Sequence, residues 1–343
     1  KFQVSVTLGK PIDILALKMN MVESFEKSVN AINKTRSHIF SNLENLESVS
    51  QCPICEGKHT QNVLTIYNAN YHQCLNCFHY YIIERPTQAA LEDFYSQSQS
   101  YQSTYTDKKS AEIRVQQVAK PKVEWVINHF ERIYGRKPKS ILDVGAGSGH
   151  FVYACRQLGI KADGIELSYS GGQFCKNVFG FELFDVDFNT HWEQFSDYEI
   201  ISFWGVIEHT PYPLKMLESA YQILSDTEGM VIAEVPRWDC LSTVIQSQYN
   251  RSVVRHLDPL GHINCFTDSS LALSLRKTNF NIVSAWYFGM DAYELVTQLS
   301  YKLKDNRIIK SLKEMIPGIQ KQLDSGYLSD EMVFAGIPKK TLK

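Results

Sequence analysis

The sequence predicts an α/β fold with a doubly wound sheet over residues 136–343. Short apolar runs alternate there with amphipathic helical stretches, which is the pattern of a largely parallel sheet covered on both faces. The first five strands are predicted over 140–145, 161–167, 181–187, 198–206 and 229–236. A second observation is a strand-to-helix turn at ILDVGAGSGHF, in which glycines stand at every second position. A third is a pair of late strands, predicted over 281–289 and 330–338 and separated by helices.

The composition is that of an ordinary globular chain. Of 343 residues, 44% are hydrophobic and 21% charged, and the formal net charge is −2. So small a charge provides no basic field that would recruit nucleic acid or an anionic membrane. No apolar run approaches the ~20 residues needed to span a bilayer, and the start lacks a signal-peptide pattern. We therefore expect a cytoplasmic protein without a membrane span.

Residues 1–49 are predicted to form a helical N-terminal segment. Apolar residues recur from residue 12 to about residue 48 at spacings compatible with 3.6 residues per turn, and Lys, Glu, Asn and Ser take the opposite face. Such a helix packs on its own domain or contacts a partner, including a second copy in a homo-oligomer. The pattern leaves both interpretations open.

Residues 50–86 carry two cysteine pairs with the spacing of a metal site. Cys52-x2-Cys55 and Cys74-x2-Cys77 are eighteen residues apart, which fits the C-x2-C-x15–20-C-x2-C pattern of zinc sites. Each pair places two thiolates on one tight turn, and four thiolates close a tetrahedron without an open position. We therefore predict a zinc ribbon with a structural Zn²⁺, and a rubredoxin-like iron is the alternative because spacing does not fix the metal.

Residues 87–135 are predicted to be a helical connector. The stretch 96–110 is rich in Ser, Gln and Tyr, and because it is too polar to form core it suits a mobile lid. A helix is predicted over about 112–134, ending at Gly135.

The glycine turn that opens the doubly wound region has the sequence D-x-G-x-G-x-G, from Asp143 to Gly149. A dinucleotide fingerprint needs a glycine five residues after the first, but His150 and Val152 stand at those positions. No Gly-Lys-Ser/Thr follows, which excludes a phosphate loop. Missing Cβ atoms let a ligand lie against the backbone, and N–H groups at the helix start point at it.

This turn resembles motif I of the class I S-adenosylmethionine (SAM) methyltransferases. The resemblance implies a Rossmann-like seven-stranded sheet with an antiparallel last strand, and a loop that cradles the methionine part of SAM. An acid at the end of the second strand would bind the ribose hydroxyls. The cofactor-binding residues that it implies are Asp143, Gly145, Ala146, Gly147, Gly149, Glu166, Asp187 and Trp204.

Three of these residues have competing interpretations. Glu166 stands seventeen residues past Gly149, and a carboxylate there could instead cap the next helix. Asp185 competes with Asp187, which we prefer, for the adenine amino group. Trp204 could cover the adenine or the sulfonium by cation–π attraction, or be a core tryptophan.

The N-terminal half adds a second resemblance. The run YHQCLNCFHYYIIERPTQAALEDFYS is similar to the zinc ribbon that precedes the methyltransferase domain in bacterial sugar and polysaccharide-associated methyltransferases. VIEHTPYPLKML is similar to the ubiquinone-biosynthesis type. The resemblance implies a small-molecule or carbohydrate-type acceptor, methylated at oxygen or carbon. The further C-terminal domain of the sugar C-methyltransferases has no room here.

Candidate catalytic residues follow the fourth and fifth strands, at the sheet edge where ligands bind. Because SAM carries an activated methyl group, the enzyme aligns the nucleophile and removes its proton. His209 is the first candidate base because histidine titrates near neutrality, although a Glu-His pair here is also a common helix-start element. His262 could assist or bind substrate. Tyr212, Arg237 and Trp238 are expected to line the acceptor pocket.

Two other functions remain open at this point. One is a non-catalytic SAM-binding or assembly subunit that uses the ribbon and the N-terminal helix for protein contacts. The other is an RNA methyltransferase with the ribbon on RNA. The ribbon carries few cations for phosphate contacts, with Lys58 between the cysteine pairs and Arg85 just past them, and the N/D-P-P-Y motif of base methylation is absent.

Overall fold

Seven strands form the central sheet of the computed structural model, which describes residues 4–11, 36–87, 90, 108–249, 256–305 and 307–339. Six further strands of the described residues form two smaller sheets. All strands in chain order are Ser5–Leu8 (β1), Leu46–Ser48 (β2), Thr60–Ile66 (β3), Ala69–Cys74 (β4), Tyr80–Ile82 (β5), Glu84–Pro86 (β6), Ser140–Val144 (β7), Lys161–Ile165 (β8), Ile200–Trp204 (β9), Met230–Pro236 (β10), Asn264–Cys265 (β11), Phe280–Phe288 (β12) and Glu331–Pro338 (β13).

Helices cover both faces of this sheet. They are Lys108–Arg114 (α1), Lys120–Tyr134 (α2), His150–Gln157 (α3), Tyr169–Phe174 (α4), Phe188–His191 (α5), Pro213–Leu224 (α6), Leu241–Tyr249 (α7), Asp268–Lys277 (α8), Asp291–Leu303 (α9), Arg307–Leu312 (α10) and Ile316–Ser325 (α11). A π-helical turn, Val115–Ala119, joins α1 to α2, and another, Cys175–Phe179, extends α4. No helix in the described part of the chain is long and apolar enough to cross a membrane.

The sheet has the order β1-β12-β13-β10-β9-β7-β8. Strands β7, β8, β9 and β10 are mutually parallel, and β13 runs antiparallel to both of its neighbours, β10 and β12. The central strands β7 and β9 are almost wholly buried, as the continuous apolar runs of a sheet covered on both faces require. The predicted doubly wound, Rossmann-like sheet is confirmed, including its antiparallel last strand.

The strand predicted over 181–187 is reduced to one isolated bridge. Phe184 N–H donates to Gly164 O, and Phe184 O accepts from Glu166 N–H. No further hydrogen bonds of a strand pair follow in this described segment. Gly180, at φ 79°, ends the preceding helix, and Asp187 already caps α5, so few residues remain for a strand. The seventh strand is instead β1, which pairs in parallel with β12 at the opposite edge.

The N-terminal segment differs in part from its helical prediction. Within 1–49, β1 and β2 are strands, while residues 36–41 are helical and Leu43–Asn45 form a 3₁₀ turn. Most of the predicted helix, residues 12–35, lies outside the described residues. The predicted lid stretch also lies mostly outside them, at 96–107.

Residues 50–86, called here the cysteine unit, share a sheet and a core with the C-terminal half. Strand β5 pairs with β4 on one side and with β11 on the other. Cys52, Ile54 and Tyr81 belong to the same buried cluster as Leu217 and Phe266. The cysteine unit is therefore packed directly onto the segment that carries His262.

Candidate functional site

The glycine loop follows β7, and its glycines have different surroundings. Gly145 and Gly149 lie at φ 73° and 78°, and a Cβ there would meet Val206 Cγ2 at 2.6 Å and Cys175 Sγ at 2.5 Å. Gly147 lies at φ 56°, yet no described atom comes within 4 Å of where its Cβ would stand. The protein thus fills the space beside two glycines and leaves the space beside the third open for a ligand.

The opposite side of the loop is closed by β8. Gly145 N–H and Ala146 N–H both donate to Ile165 O at 2.9 Å. The Ala146 side chain lies so close to Gly164 that a Cβ on Gly164 would approach it to 2.7 Å. These contacts fix the loop, so that the open side at Gly147 is a preformed feature of the backbone.

Asp143 lies inside the sheet, beneath the loop. Its carboxylate is 3% exposed and accepts a 2.8 Å hydrogen bond from Ser202 Oγ on the neighbouring strand. Burial raises the pKa of Asp143 to about 7, against the lowering effect of the Ser202 bond. The carboxylate therefore supports the loop from below, and its contact with a cofactor stays a prediction.

Glu166 joins the loop to the start of α4. Its Oε2 accepts from Gly147 N–H at 2.7 Å, and its Oε1 accepts from Ser168 N–H at 2.7 Å. The cap of α4 itself is Ser168, whose side chain accepts from Gly171 N–H. Burial raises the pKa of Glu166, and the charge of Asp185 adds to the rise. The structure therefore places this carboxylate at Gly147, the loop glycine whose Cβ side is open.

The two acids predicted for the adenine have different surroundings. Asp187 is the cap of α5, where its Oδ1 accepts from Asn189 N–H at 2.9 Å. Asp185 is close enough to Glu166 for its charge to raise the pKa of Glu166. Which of the two carboxylates contacts the adenine stays a prediction.

Trp204 contacts a cation of the protein itself. Glu234 stands opposite Trp204 on β10 and holds Lys122 Nζ at 2.6 Å. That ammonium lies 4.4 Å from the centroid of the Trp204 ring, and Phe151 packs on the ring at 5.2 Å. Lys122 and Phe151 thus pack against the ring, and its contact with SAM stays a prediction.

Glu208, His209 and His262 lie together on the segments that follow β9 and β10. Val206, at the start of the first of these segments, lies against Gly145 of the glycine loop. His209 Nδ1 is 2.8 Å from Gly261 O, and His262 Nδ1 is 2.8 Å from His256 O. A carbonyl only accepts, so both rings carry the proton on Nδ1 and present an unprotonated Nε2. The ring centroids are 5.0 Å apart. We call Glu208, His209 and His262 the acceptor cluster.

Burial shapes the charge of the acceptor cluster. It raises the pKa of Glu208 to about 8 and lowers that of His209. It also lowers the pKa of His262 to about 3, with the neighbouring His209 and His256 adding to the effect. Both imidazoles are therefore neutral at pH 7, as a group that accepts a proton or a cation must be.

The cysteine unit helps to position the acceptor cluster. Asn264 donates from Nδ2 to Thr210 O at 2.7 Å and from its backbone to Glu208 O at 3.1 Å. Its Oδ1 accepts from His79 Nε2 at 3.2 Å, and Tyr71 donates to His262 O at 3.3 Å. Asn264 has no local sequence signal, since its role depends on the pairing of β5 with β11.

Two of the three residues expected to line an acceptor pocket, Arg237 and Trp238, already make contacts within the protein. Arg237 donates to Asp268 Oδ2 at 2.7 Å and also to Tyr327 O, so its guanidinium is not available for a phosphate. Trp238 stacks on Tyr80 at 4.1 Å. Tyr212 is 61% exposed, and Arg237 and Trp238 line a small cavity together with His262.

The four predicted metal-binding cysteines converge. Cys52 Sγ lies 3.6 Å from Cys77 Sγ, and Cys55 Sγ lies 3.4 Å from Cys74 Sγ. All four sulfurs are within 4.8 Å of one another. Four thiolates around one Zn²⁺ at ~2.3 Å stand about 3.8 Å apart, so the donor set has the size of a tetrahedral site.

Comparison with known proteins gives one family match. Residues 124–285 match the family described as a methyltransferase domain. No curated protein matches the chain. The match confirms the prediction that the chain carries the domain of a methyltransferase enzyme.

Solved structures with a similar chain trace include three methyltransferases. A SAM-dependent methyltransferase from Archaeoglobus fulgidus is 17% identical, with a TM-score of 0.41 over 63% of this chain and 91% of its own. The plantazolicin methyltransferase BpumL, in complex with a monoazolic desmethylPZN analog and SAH (S-adenosylhomocysteine), is 17% identical, with a TM-score of 0.47 over 74% and 95%. An O-methyltransferase family protein from Burkholderia thailandensis is 9% identical, with a TM-score of 0.44 over 74% and 63%.

Proposed function

We propose that this chain, a methyltransferase enzyme through its domain at 124–285, moves a methyl group from SAM to a small-molecule or carbohydrate-type acceptor. The observation that carries the proposal is the open side of Gly147. Its φ of 56° and the empty space at its Cβ position provide a cradle at the carboxyl end of β7, where ligands bind on a doubly wound sheet.

The residues around this cradle suit SAM. Glu166 stands at the open glycine and offers carboxylate oxygens for the ribose, while Asp185 stands close to Glu166 on the side proposed for the adenine. Ser148 Oγ is buried and has no hydrogen-bond partner among the described residues, so a ligand at the loop would supply one. SAM brings a methyl group already activated on its sulfonium, which leaves positioning and deprotonation of the acceptor to the protein.

The acceptor cluster is the proposed place of that deprotonation. His209 and His262 present unprotonated Nε2 atoms beside the loop, and the His209 side chain is 26% exposed. A hydroxyl or an acidic C–H group must lose its proton as the methyl group arrives. We propose His209 and His262 as the catalytic residues of this step, acting on an oxygen or carbon acceptor.

The test is a binding and transfer experiment on the full chain. Calorimetry with SAH measures the donor site alone. Transfer of radiolabelled methyl from SAM is then followed with nucleotide sugars, free sugars, phenols and an azole-containing peptide as acceptors. Absence of SAH binding would refute the donor site, and SAH binding without transfer to any acceptor would refute the acceptor class.

We also propose that the cysteine unit holds a structural Zn²⁺ on Cys52, Cys55, Cys74 and Cys77. The four sulfurs leave no open position, so the metal would hold the fold rather than take part in the reaction. Because β5 lies between the cysteines and β11, the metal would also help to position His262 through Tyr71 and His79.

Cys74→Ser is expected to remove the metal and loosen the cysteine unit. The change deletes one of four thiolates, and a three-ligand site binds Zn²⁺ far less tightly. Metal content by mass spectrometry should fall from about one zinc per chain to near none. Cys155→Ser is the matched control, because Cys155 is equally buried but lies outside the cysteine unit. Equal zinc in both variants would contradict the proposed site.

A further inference from the structure

The acceptor cluster is also a group of possible metal ligands. One ligand atom each of Glu208, His209 and His262 lies within 4.8 Å of the others, and Glu208 Oε1 is 3.6 Å from His209 Nε2. We propose that these three residues bind one divalent first-row metal cation, separate from the metal of the cysteine unit. The inference rests on the proposed function, whose acceptor side it specifies.

The first support is the orientation of both histidines. Metal-binding histidines almost always donate their other ring N–H to a carbonyl, a carboxylate or water, which fixes the ring and the tautomer. His209 and His262 do this through Nδ1, to Gly261 O and His256 O, each at 2.8 Å. Both Nε2 lone pairs are thereby held in place for a shared ligand.

The second support is the carboxylate between them. Glu208 is 2% exposed, and its Oε2 has no hydrogen-bond partner among the described residues. A buried polar oxygen without a partner is costly, because burial removes the water that would otherwise bind it. A cation at the acceptor cluster would supply that missing partner.

The other histidine–carboxylate group in the described chain lacks this feature. His256, Asp330 and Glu331 also converge within 4.8 Å. However, Asp330 already accepts from Met290 N–H and from His256 Nε2, both at 3.0 Å. These bonds explain that group as a structural network, which leaves the acceptor cluster as the better site.

The ligand set suggests the chemistry of the acceptor. Two imidazoles and one carboxylate on one side of a metal leave positions open, and the exposed side of His209 gives access to them. A cation there would bind an acceptor hydroxyl and a neighbouring oxygen, as in a vicinal diol or a hydroxycarbonyl, and lower the pKa of the hydroxyl. The proton leaves to water, and the O–CH₃ bond forms as the S–CH₃ bond of SAM breaks, giving a methyl ether and SAH.

With a cation bound, His209 and His262 would promote loss of the acceptor proton by holding the metal, because one Nε2 lone pair cannot bind a cation and accept a proton as well. Mn²⁺ is the probe, since it favours oxygen and nitrogen ligands and leaves the thiolates of the zinc-loaded cysteine unit alone. Its binding to the full chain is followed by the loss of the free Mn²⁺ signal in electron paramagnetic resonance.

We expect about one Mn²⁺ per chain, and affinity reduced at least ~10-fold in Glu208→Gln and in His262→Gln. The matched controls are Glu193→Gln and His191→Gln, which change exposed residues outside the acceptor cluster and should bind Mn²⁺ as wild type does. Unchanged SAH affinity in all four variants shows that the fold persists. A wild-type chain that binds no Mn²⁺, or cluster variants that bind it normally, would overturn the metal site and leave SAH binding and transfer to be judged separately.

Discussion

Replacing His209 by alanine is expected to lower kcat for methyl transfer by a factor of ~10²–10⁴, which is the rate acceleration that a positioned acid–base group typically contributes. His209 presents its Nε2 beside Glu208, on the exposed side of the acceptor cluster. Its loss removes the group that would deprotonate the acceptor or hold the cation that does so. The measurement is steady-state transfer of labelled methyl to the acceptor identified in the panel.

The matched control is His191→Ala, on the exposed surface of α5, which should keep full kcat. SAH affinity should stay unchanged in both variants, because His209 makes no described contact with the glycine loop. A loss of only a few fold in His209→Ala would remove it from the reaction and leave His262 as the candidate. Loss of SAH binding would indicate a damaged fold rather than a catalytic role.

The donor loop was predictable from sequence because its geometry is local. Alternate glycines after an apolar strand already specify a turn with left-handed positions, and Glu166 follows at the next strand end. The seventh strand was not predictable in the same way. Ser5–Leu8 joins the sheet by pairing with Phe280–Phe288, and nothing in four residues that alternate between polar and apolar indicates a partner so distant in sequence.

The acceptor side shows the same limit more strongly. The sequence singled out His209 and His262 individually, but their juxtaposition depends on the β5–β11 pairing and on the Asn264 contacts. Lys122 on the ring of Trp204 was also beyond sequence reasoning, because α2 crosses onto β9 only in the folded chain. Residues that act through long-range contacts carry no local pattern that names their partners.

The packing of the cysteine unit changes how its metal should be understood. Cys74 and Cys77 share a buried cluster with Phe203 and Phe266, so the unit and the catalytic half form one core. The metal proposed for the cysteine unit would therefore stabilise the segment that carries His262 as well as its own turns. The sequence predicts a separate zinc module, whereas in the structure the cysteine unit packs against the segment that carries His262.

Gly147→Val is expected to abolish SAH binding while the chain stays folded. A Cβ at this position meets no described atom within 4 Å, so the new side chain would occupy the space proposed for the ligand rather than clash with the protein. The substitution also forces a β-branched residue to φ 56°, a conformation that costs about 1–2 kcal/mol. Calorimetry with SAH measures the binding, and thermal unfolding measures the cost to the fold.

Gly180→Val separates these two effects. Gly180 also has a positive φ, 79°, and open space at its Cβ position, but it ends the helical turn after α4 rather than lying in the loop. Its valine should therefore lower stability about as much as Gly147→Val does and leave SAH affinity unchanged. Equal SAH affinity in the two variants would mean that the ligand does not lie at Gly147. Loss of affinity in Gly147→Val alone would assign the open side of that glycine to the methyl donor, because backbone strain is common to both.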